Sequence, residues 1–311
     1  MAGRARVNDA TPALYGLHNL LSRSTQATLT FARLVRLEHT IFALPPTFIG
    51  AWLAADALGL PHGIPPLEAL GWIVVAMMAA WTAAMAFNRI ADARYDSVNP
   101  RTMTWEIPRG AVKIWQAWAI VAASAALLVV AAGNLNRLCL MLSPVALAVV
   151  MGYSLTKRFT HWAHLVLGAA NGLAPIGAWL GVAGSFAAPS VFVWAAISLW
   201  VGGFDVIYAL QDVEVDRQLG IHSIPACLGP ERGLRIMRLM HAGTLLCLGA
   251  VGVTGSLGGW YYGGLVVCAA ILAYEHRIVR PYDLRNVNMA FQTLNGWFAV
   301  ILLLSVLLDR W

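Results

Sequence analysis

Charge is what this chain has least of. Only 12% of its 311 residues are Asp, Glu, Lys or Arg, against 59% hydrophobic, and the mean hydropathy is +0.67. Water-soluble globular chains carry about 25% charged residues, so a soluble domain is excluded. Acidic residues are scarcer than basic ones, 15 against 21. There are only four cysteines, Cys139, Cys227, Cys247 and Cys268, and they stand at no metal-ligand spacing. That argues against a zinc module or a disulfide framework and leaves them as small apolar residues. A short charged head running straight into an apolar stretch is also missing. Arg4, Arg6, Arg23 and Arg33 are spread through a long mixed segment instead, so a cleaved signal peptide is not expected and the N-terminus should be retained.

What the chain does have is apolar sequence in runs long enough to cross roughly 30 Å of hydrocarbon. The runs read as 34–56, 69–92, 114–132, 136–152, 164–184, 190–210, 237–256, 259–276 and 287–308. The expected fold class is therefore an all-α membrane protein, nine transmembrane helices in a bundle. Residues 1–33 form an N-terminal segment and 34–311 a single transmembrane domain. Pro45-Pro46 interrupts the first run, and the fourth is short.

Basic residues fall on one side of this frame. They occupy the N-terminal segment and the loops after the second (Arg94, Arg101, Arg109, Lys113), fourth (Lys157, Arg158), sixth (Arg217, Arg232, Arg235, Arg238) and eighth spans (Arg277, Arg280, Arg285). The opposite loops hold almost only Arg137. By the positive-inside rule the N-terminus is cytoplasmic and Arg310-Trp311 lies outside. A bacterial cytoplasmic (inner) membrane is the expected location. The +6 net charge thus reflects topology. No nucleic-acid-binding motif accompanies it, and no nucleic-acid partner is expected.

The few carboxylates concentrate at two helix ends. Asn88, Asp92 and Asp96 follow i, i+4, i+8 and stack on one helical face before Asn99-Pro100 ends the helix. Asp205, Asp212 and Asp216, at i, i+7, i+11 on a helix taken as continuous, share another face, with Glu214 pointing away. Stacked carboxylates repel, and charge near lipid is expensive, so a compensating cation is the simplest reason for the pattern. Oxygen donors without nearby His or Cys favour Mg²⁺, which bridges carboxylates to substrate phosphates. The plain alternative for a single such motif is a solvated helix end. Two motifs at the same interval, with four helices between, point instead to a parallel four-helix internal repeat with a shared metal–diphosphate site.

Other side chains keep two readings. Tyr153-Ser154-Leu155-Thr156-Lys157-Arg158, and the later Arg277 and Arg280, can contact phosphate oxygens or simply mark the cytoplasmic face beside anionic lipid. Arg36 can bind an acceptor carboxylate or snorkel to headgroups. His161 and His164 read as interfacial, His222 lies in the loop after the second aspartate pair, and the 13 tryptophans read as belts and packing.

Together these residues resemble the UbiA superfamily of intramembrane aromatic prenyltransferases. The resemblance spans nearly the whole chain and rests on the helix number, on NxxxDxxxD as Asn88–Asp92–Asp96, on DxxxD as Asp212–Asp216 and on Tyr153–Lys157–Arg158. The segments Asn88–Pro108 and Gln211–Pro225 look most like the quinone-pathway branch. That branch holds 4-hydroxybenzoate polyprenyltransferases of ubiquinone biosynthesis and relatives that prenylate 1,4-dihydroxy-6-naphthoate on the futalosine route to menaquinone. The resemblance implies Mg²⁺ on both aspartate motifs, a polyprenyl diphosphate donor whose tail lies among the helices toward membrane lipid, and an aromatic acid acceptor.

It also implies a role for Asp205 in accepting or orienting the acceptor's phenolic proton; otherwise Asp205 is a protonated, hydrogen-bonded helix residue. One departure stands out. Members usually carry an arginine four residues beyond Arg101, where this chain has Trp105, with Arg101 or Arg109 as substitutes. Alternatives are a relative with haem, homogentisate or lipid as acceptor, or an anion transporter. The transporter fits less well, because the acidic residues gather at one membrane face instead of near the midplane.

Overall fold

The computed structural model describes residues 25, 26 and 28–310. Arg4, Arg6, Arg23 and Trp311, and with them most of the expected N-terminal segment, lie outside the described residues. All regular structure among the described residues is helical, with no β-strand.

The long helices are α1 (Leu44–Ala57), α2 (Leu67–Asp96), α3 (Ile114–Leu135), α4 (Arg137–Thr156), α5 (Ala163–Ala183) and α6 (Ala188–Ala209). Two short helices, α7 (Val213–Leu219) and α8 (Ile224–Leu228), lead into α9 (Pro230–Thr254), α10 (Gly259–Ile278) and α11 (Asn295–Leu308). Consecutive long helices pack on one another, and α1 also touches α2, α5, α6 and α11, which draws the bundle together. Close approaches are set by glycine. A Cβ on Gly50 would lie 2.0 Å from the Pro175 carbonyl oxygen, and one on Gly168 would lie 2.0 Å from that of Ser198. The main core cluster includes Trp179, Trp200, Phe204, Tyr261 and Phe298.

Eight helical segments among the described residues are long and apolar enough to cross a membrane. The expected ninth, 259–276, is the helix α10. It falls short on hydropathy because it opens with Gly259-Trp260-Tyr261-Tyr262 and closes with Tyr274-Glu275-His276-Arg277.

Three expectations need correcting. Pro45-Pro46 does not interrupt a span; it stands in the first turn of α1, where a missing N–H costs nothing, behind a 3₁₀ helix over Leu37–Phe42. Helix α9 starts at Pro230, so Arg232, Arg235 and Arg238 ride its first turns and do not form a loop. The sixth helix is not continuous through the aspartates. Helix α6 ends at Ala209, a 3₁₀ turn covers Leu210–Asp212, and α7 follows with Asp212 as its N-cap residue at φ −111°.

Helix α2 matters most for the site. Its 30 residues reach about 45 Å at 1.5 Å per residue, well over the roughly 30 Å of hydrocarbon. The helix is therefore long enough to cross the apolar slab and still extend beyond it, and its last turns carry Asn88 to Asp96.

Candidate active site

Three connecting segments converge on the end of α2. The loop 97–113, the end of α4 and the turn after α7 each supply polar side chains. The Lys157 carbonyl accepts from the His222 N–H at 2.7 Å, which ties two of these segments together.

Asp92 and Asp96 are buried, 3% and 8% exposed. Asp92 Oδ2 accepts from Lys157 Nζ at 2.6 Å and from Asn88 Nδ2 at 2.9 Å, while Asn88 also reaches Ser154 Oγ. Asp92 Oδ1 and Asp96 Oδ2 are buried without any hydrogen-bond partner among the described residues. An orphaned carboxylate oxygen is costly, and two on one helical face ask for a cation.

The second pair faces the same space. Asp212 holds Arg101 in a two-pronged contact, with Nε to Oδ1 at 2.9 Å, and Asn99 Nδ2 donates to Oδ1 at 3.2 Å. Arg101 Nη1 also donates to the Tyr208 hydroxyl at 2.7 Å. Burial alone would lower the Arg101 pKa, but its bonds to Asp212 outweigh that and hold it above the ordinary value. Asp216 Oδ2 accepts from Ser223 Oγ at 2.8 Å. Lys157, bonded to Asp92, is also within electrostatic reach of Asp96 and Asp216, so one ammonium acts on both carboxylate pairs. The donors are carboxylate, amide and hydroxyl oxygens with no sulfur, a set that fits a hard cation such as Mg²⁺.

Asp205 sits deeper. His164, 5% exposed, lies with Nδ1 2.6 Å from Asp205 Oδ2, while its Nε2 accepts from the Ile224 N–H at 3.2 Å. An Nε2 that accepts leaves the proton on Nδ1, so the imidazole donates to the carboxylate and its tautomer is set. The expectation of an interfacial His164 is thereby corrected. Its partner lies 41 residues away, and the short His161–His164 spacing says nothing about that contact.

The remaining sequence candidates divide. Tyr153 is within electrostatic reach of Asp92 and Asp205 and also lines an apolar cavity of about 210 Å³. That cavity runs past Thr47, Met77, Met85, Val150 and Leu173, among α1 to α5. Arg158 does not join the carboxylates. It is exposed, donates to the Ala91 carbonyl and lies over the Tyr95 ring, so it braces the outside of α2. Arg36 pairs with Glu38 at 3.3 Å from a left-handed backbone position, φ 50°. Arg109 turns to Glu106 at 3.6 Å, outside the cluster, whereas Arg101 enters it.

Trp105 has a defined place. Its ring has the guanidinium of Arg89 3.7 Å from the centroid, with Arg36 at 4.8 Å and Arg101 at 5.5 Å. Three like charges gather around one indole ring, whose π electrons offset part of their repulsion. Arg89, Asn99, His164, Tyr208 and Ser223 are site residues that the sequence did not mark.

The chain matches the UbiA prenyltransferase family over residues 43–302. It belongs to that family. It is thus an integral, multi-pass membrane protein and a prenyltransferase, and the carrier reading is set aside. It is 30% identical over 288 residues to a 4-hydroxybenzoate octaprenyltransferase of Klebsiella pneumoniae subsp. pneumoniae, covering 92% of this chain and 97% of the relative. It is 31% identical over 292 residues to the enzyme of that name from Aeromonas salmonicida, covering 93% and 98%. The fold matches the apo structure of a UbiA homolog from Aeropyrum pernix K1 with a TM-score of 0.78 at 32% identity, over 88% of this chain and 98% of that one. A UbiA homolog from Archaeoglobus fulgidus bound to GPP and Mg²⁺ matches at 0.64 and 16% identity, over 89% and 99%, a likeness of fold.

Proposed function

We propose that this prenyltransferase moves a polyprenyl group from its diphosphate to an aromatic carboxylic acid of the 4-hydroxybenzoate or 1,4-dihydroxy-6-naphthoate type, in ubiquinone or menaquinone biosynthesis. The observation that carries the reading is the meeting of four aspartates with Lys157 and Arg101 beside a Tyr153-lined apolar cavity. An anion of phosphate size bound between Lys157 and Arg101 would lie next to a slot for hydrocarbon. Names of relatives support the acid: the Klebsiella and Aeromonas proteins are 4-hydroxybenzoate octaprenyltransferases.

Asp92, Asp96, Asp212 and Asp216, with Asn88, would hold Mg²⁺, which when bound neutralises the diphosphate leaving group. Lys157 and Arg101 add N–H donors for phosphate oxygens, and both are already charge-paired at the site, so exchanging a carboxylate for a phosphate oxygen keeps them satisfied. The allylic C–O bond breaks and pyrophosphate departs. The acceptor ring carbon takes the prenyl carbon, its C–H proton then passes to water or the released pyrophosphate, and any phenolic proton lent to Asp205 returns to the product. Asp205, oriented by His164, accepts or orients the acceptor's phenolic proton. Enclosure by the helices keeps water from the cationic prenyl carbon.

Arg36 is our candidate for the acceptor carboxylate, supported by its half-exposed guanidinium beside Arg89 and Trp105. Removing one partner of such a pair costs about 2–5 kcal/mol, more than tenfold in affinity. Arg36→Ala is expected to raise the acceptor KM more than about tenfold and leave the prenyl diphosphate KM nearly unchanged, measured by steady-state kinetics in detergent. A parallel rise in both assigns Arg36 to the diphosphate, and equal use of phenol and naphthol removes carboxylate recognition.

We further propose that α10 is a ninth membrane crossing, that the two halves form a parallel repeat, and that the site faces the cytoplasm of an inner membrane. The lysine and arginine asymmetry and the gathering of both aspartate pairs at one bundle end support this. In intact cells an impermeant thiol reagent should label a cysteine placed in the 257–260 loop and miss one in 157–162. The opposite pattern overturns the orientation.

The acceptor is decided by incubating membranes with labelled polyprenyl diphosphate and a panel of aromatic acids and identifying the products. Conversion of haem, homogentisate or a lipid, with the acids untouched, replaces this assignment.

A further inference from the structure

We propose that His241, Glu275 and His276 form a second metal site, built for one transition-metal ion of the zinc class, on the far side of α6 from Asp205.

The three residues come from two membrane helices, His241 from α9 and Glu275-His276 from the last turns of α10. Their donor atoms all lie within 4.8 Å of one another. His241 Nδ1 stands 3.0 Å from His276 Nε2 and 3.5 Å from Glu275 Oε1. Ligands about 2.0–2.2 Å from a common zinc or nickel ion fall at such separations.

Burial makes the arrangement expensive without an ion. His241 and Glu275 are both 0% exposed. Glu275 Oε1 has no hydrogen-bond partner among the described residues, and its ion-pair neighbour His241 Nδ1, at 3.5 Å, is beyond ordinary hydrogen-bond range. Between two neutral imidazoles only one proton can bridge Nδ1 and Nε2, so the carboxylate oxygen facing them is left over. A shared cation satisfies all three atoms at once.

The surroundings aim these donors. Trp200 Nε1 donates to Asn295 Oδ1 at 2.7 Å, and Asn295 Nδ2 donates to Glu275 Oε2 at 2.8 Å. That chain occupies one carboxylate oxygen and turns the other toward His241, the kind of outer support metal ligands carry. Asn295 opens α11 directly after the π-helical turns Met289–Leu294, a local geometry that often marks functional positions. The His241 ring is seated on Gly203, where a Cβ would come within 2.4 Å of Cδ2 and Nε2. Only glycine there lets the ring lie in this orientation.

Two imidazoles and one carboxylate select Zn²⁺, Co²⁺ or Ni²⁺ over Mg²⁺. Entry is from the rim, since His276 is half-buried and its carbonyl lies 3.5 Å from the exposed Arg238 guanidinium. The role is mechanical. Gly203 and Asp205 are two residues apart on α6, about 200° around it, so an ion clamping α9 to α10 backs the helix whose opposite side presents Asp205 to His164. The main effect is therefore expected on stability.

The test uses the full-length protein, purified in detergent without a polyhistidine tag, stripped with chelator and dialysed. Zn²⁺ is titrated in millimolar Mg²⁺, so that the aspartate cluster is saturated with the hard ion. We expect one equivalent of Zn²⁺, a rise of about 5 °C or more in the unfolding midpoint, and visible d–d bands of a nitrogen-ligated site when Co²⁺ replaces it. Glu275→Gln and His276→Gln should each weaken Zn²⁺ at least about tenfold, and Asp212→Asn should leave it intact. Less than a tenth of an equivalent in the wild-type protein overturns the proposal, and so does binding that survives both variants but is lost with Asp212→Asn. The Co²⁺ spectrum needs no variant and decides the matter if the substitutions impair folding.

Discussion

Replacing any one of Asp92, Asp96, Asp212 or Asp216 by Asn is expected to lower kcat by at least about 100-fold while the protein still folds in detergent. The expectation rests on charge, since Asn keeps shape and one oxygen but removes the anion a divalent cation needs. Asp96 Oδ2 has no protein donor to lose, so folding has little stake in its charge, whereas Asp92→Asn also gives up the ion pair of Asp92 Oδ2 with Lys157. Asp212→Asn likewise frees a cation, releasing Arg101 from its two-pronged contact. A double substitution, Asp212→Asn with Arg101→Gln, separates the two losses. If metal binding dominates, it is no less impaired than the single variant and gains thermal stability relative to it. Chelator should remove wild-type turnover, and Mg²⁺ or Mn²⁺ but not Zn²⁺ should restore it. Turnover at the wild-type level in any two of the four variants, or insensitivity to chelator, contradicts a shared two-pair site.

The second large effect concerns Asp205. Asp205→Asn is expected to cut kcat by roughly 10²–10⁴-fold with little change in the prenyl diphosphate KM, because Asp205 stands on α6, before the turn that carries Asp212, and points to His164. His164→Asn, which can still donate through its amide, should lose less than His164→Leu, which leaves Asp205 and the Ile224 N–H without that partner. Equal rates in the two His164 variants remove the orienting role. Single-turnover measurements with both substrates bound distinguish chemistry from binding.

Much of this site was legible in the sequence, because charge is rare in an apolar chain and each carboxylate there needs a reason. Asn88, Asp92 and Asp96 could be placed on one face from their spacing alone, and α2 keeps them there. Lys157 was legible as a basic residue closing a span, and it reaches Asp92. Arg158, adjacent and equally basic, turned outward, since neighbours on a helix end differ by about 100° in direction. The break at Leu210–Asp212 was invisible because Asp212, at its end, and Asp216, in α7, still keep the spacing of a helix.

Contacts between distant segments were out of reach. Arg101 and Asp212 are 111 residues apart, His164 and Asp205 are 41, and no local period links them. Trp105 read as a departure from the family pattern, yet its ring gathers Arg36, Arg89 and Arg101, which only the folded loop reveals. The prolines at 45 and 46 were read as an interruption because position within a helix, and not proline itself, decides whether a missing N–H matters.

The most direct test of the central reading is a paired assay on the purified protein with a polyprenyl diphosphate, Mg²⁺ and 4-hydroxybenzoate or 1,4-dihydroxy-6-naphthoate. Pyrophosphate release and product mass are followed together. A ring-prenylated acid formed in equal amount to pyrophosphate, and absent with Asp92→Asn or Asp216→Asn, is the predicted result. Pyrophosphate released without a prenylated acid, or the same product yield from both aspartate variants, would contradict it.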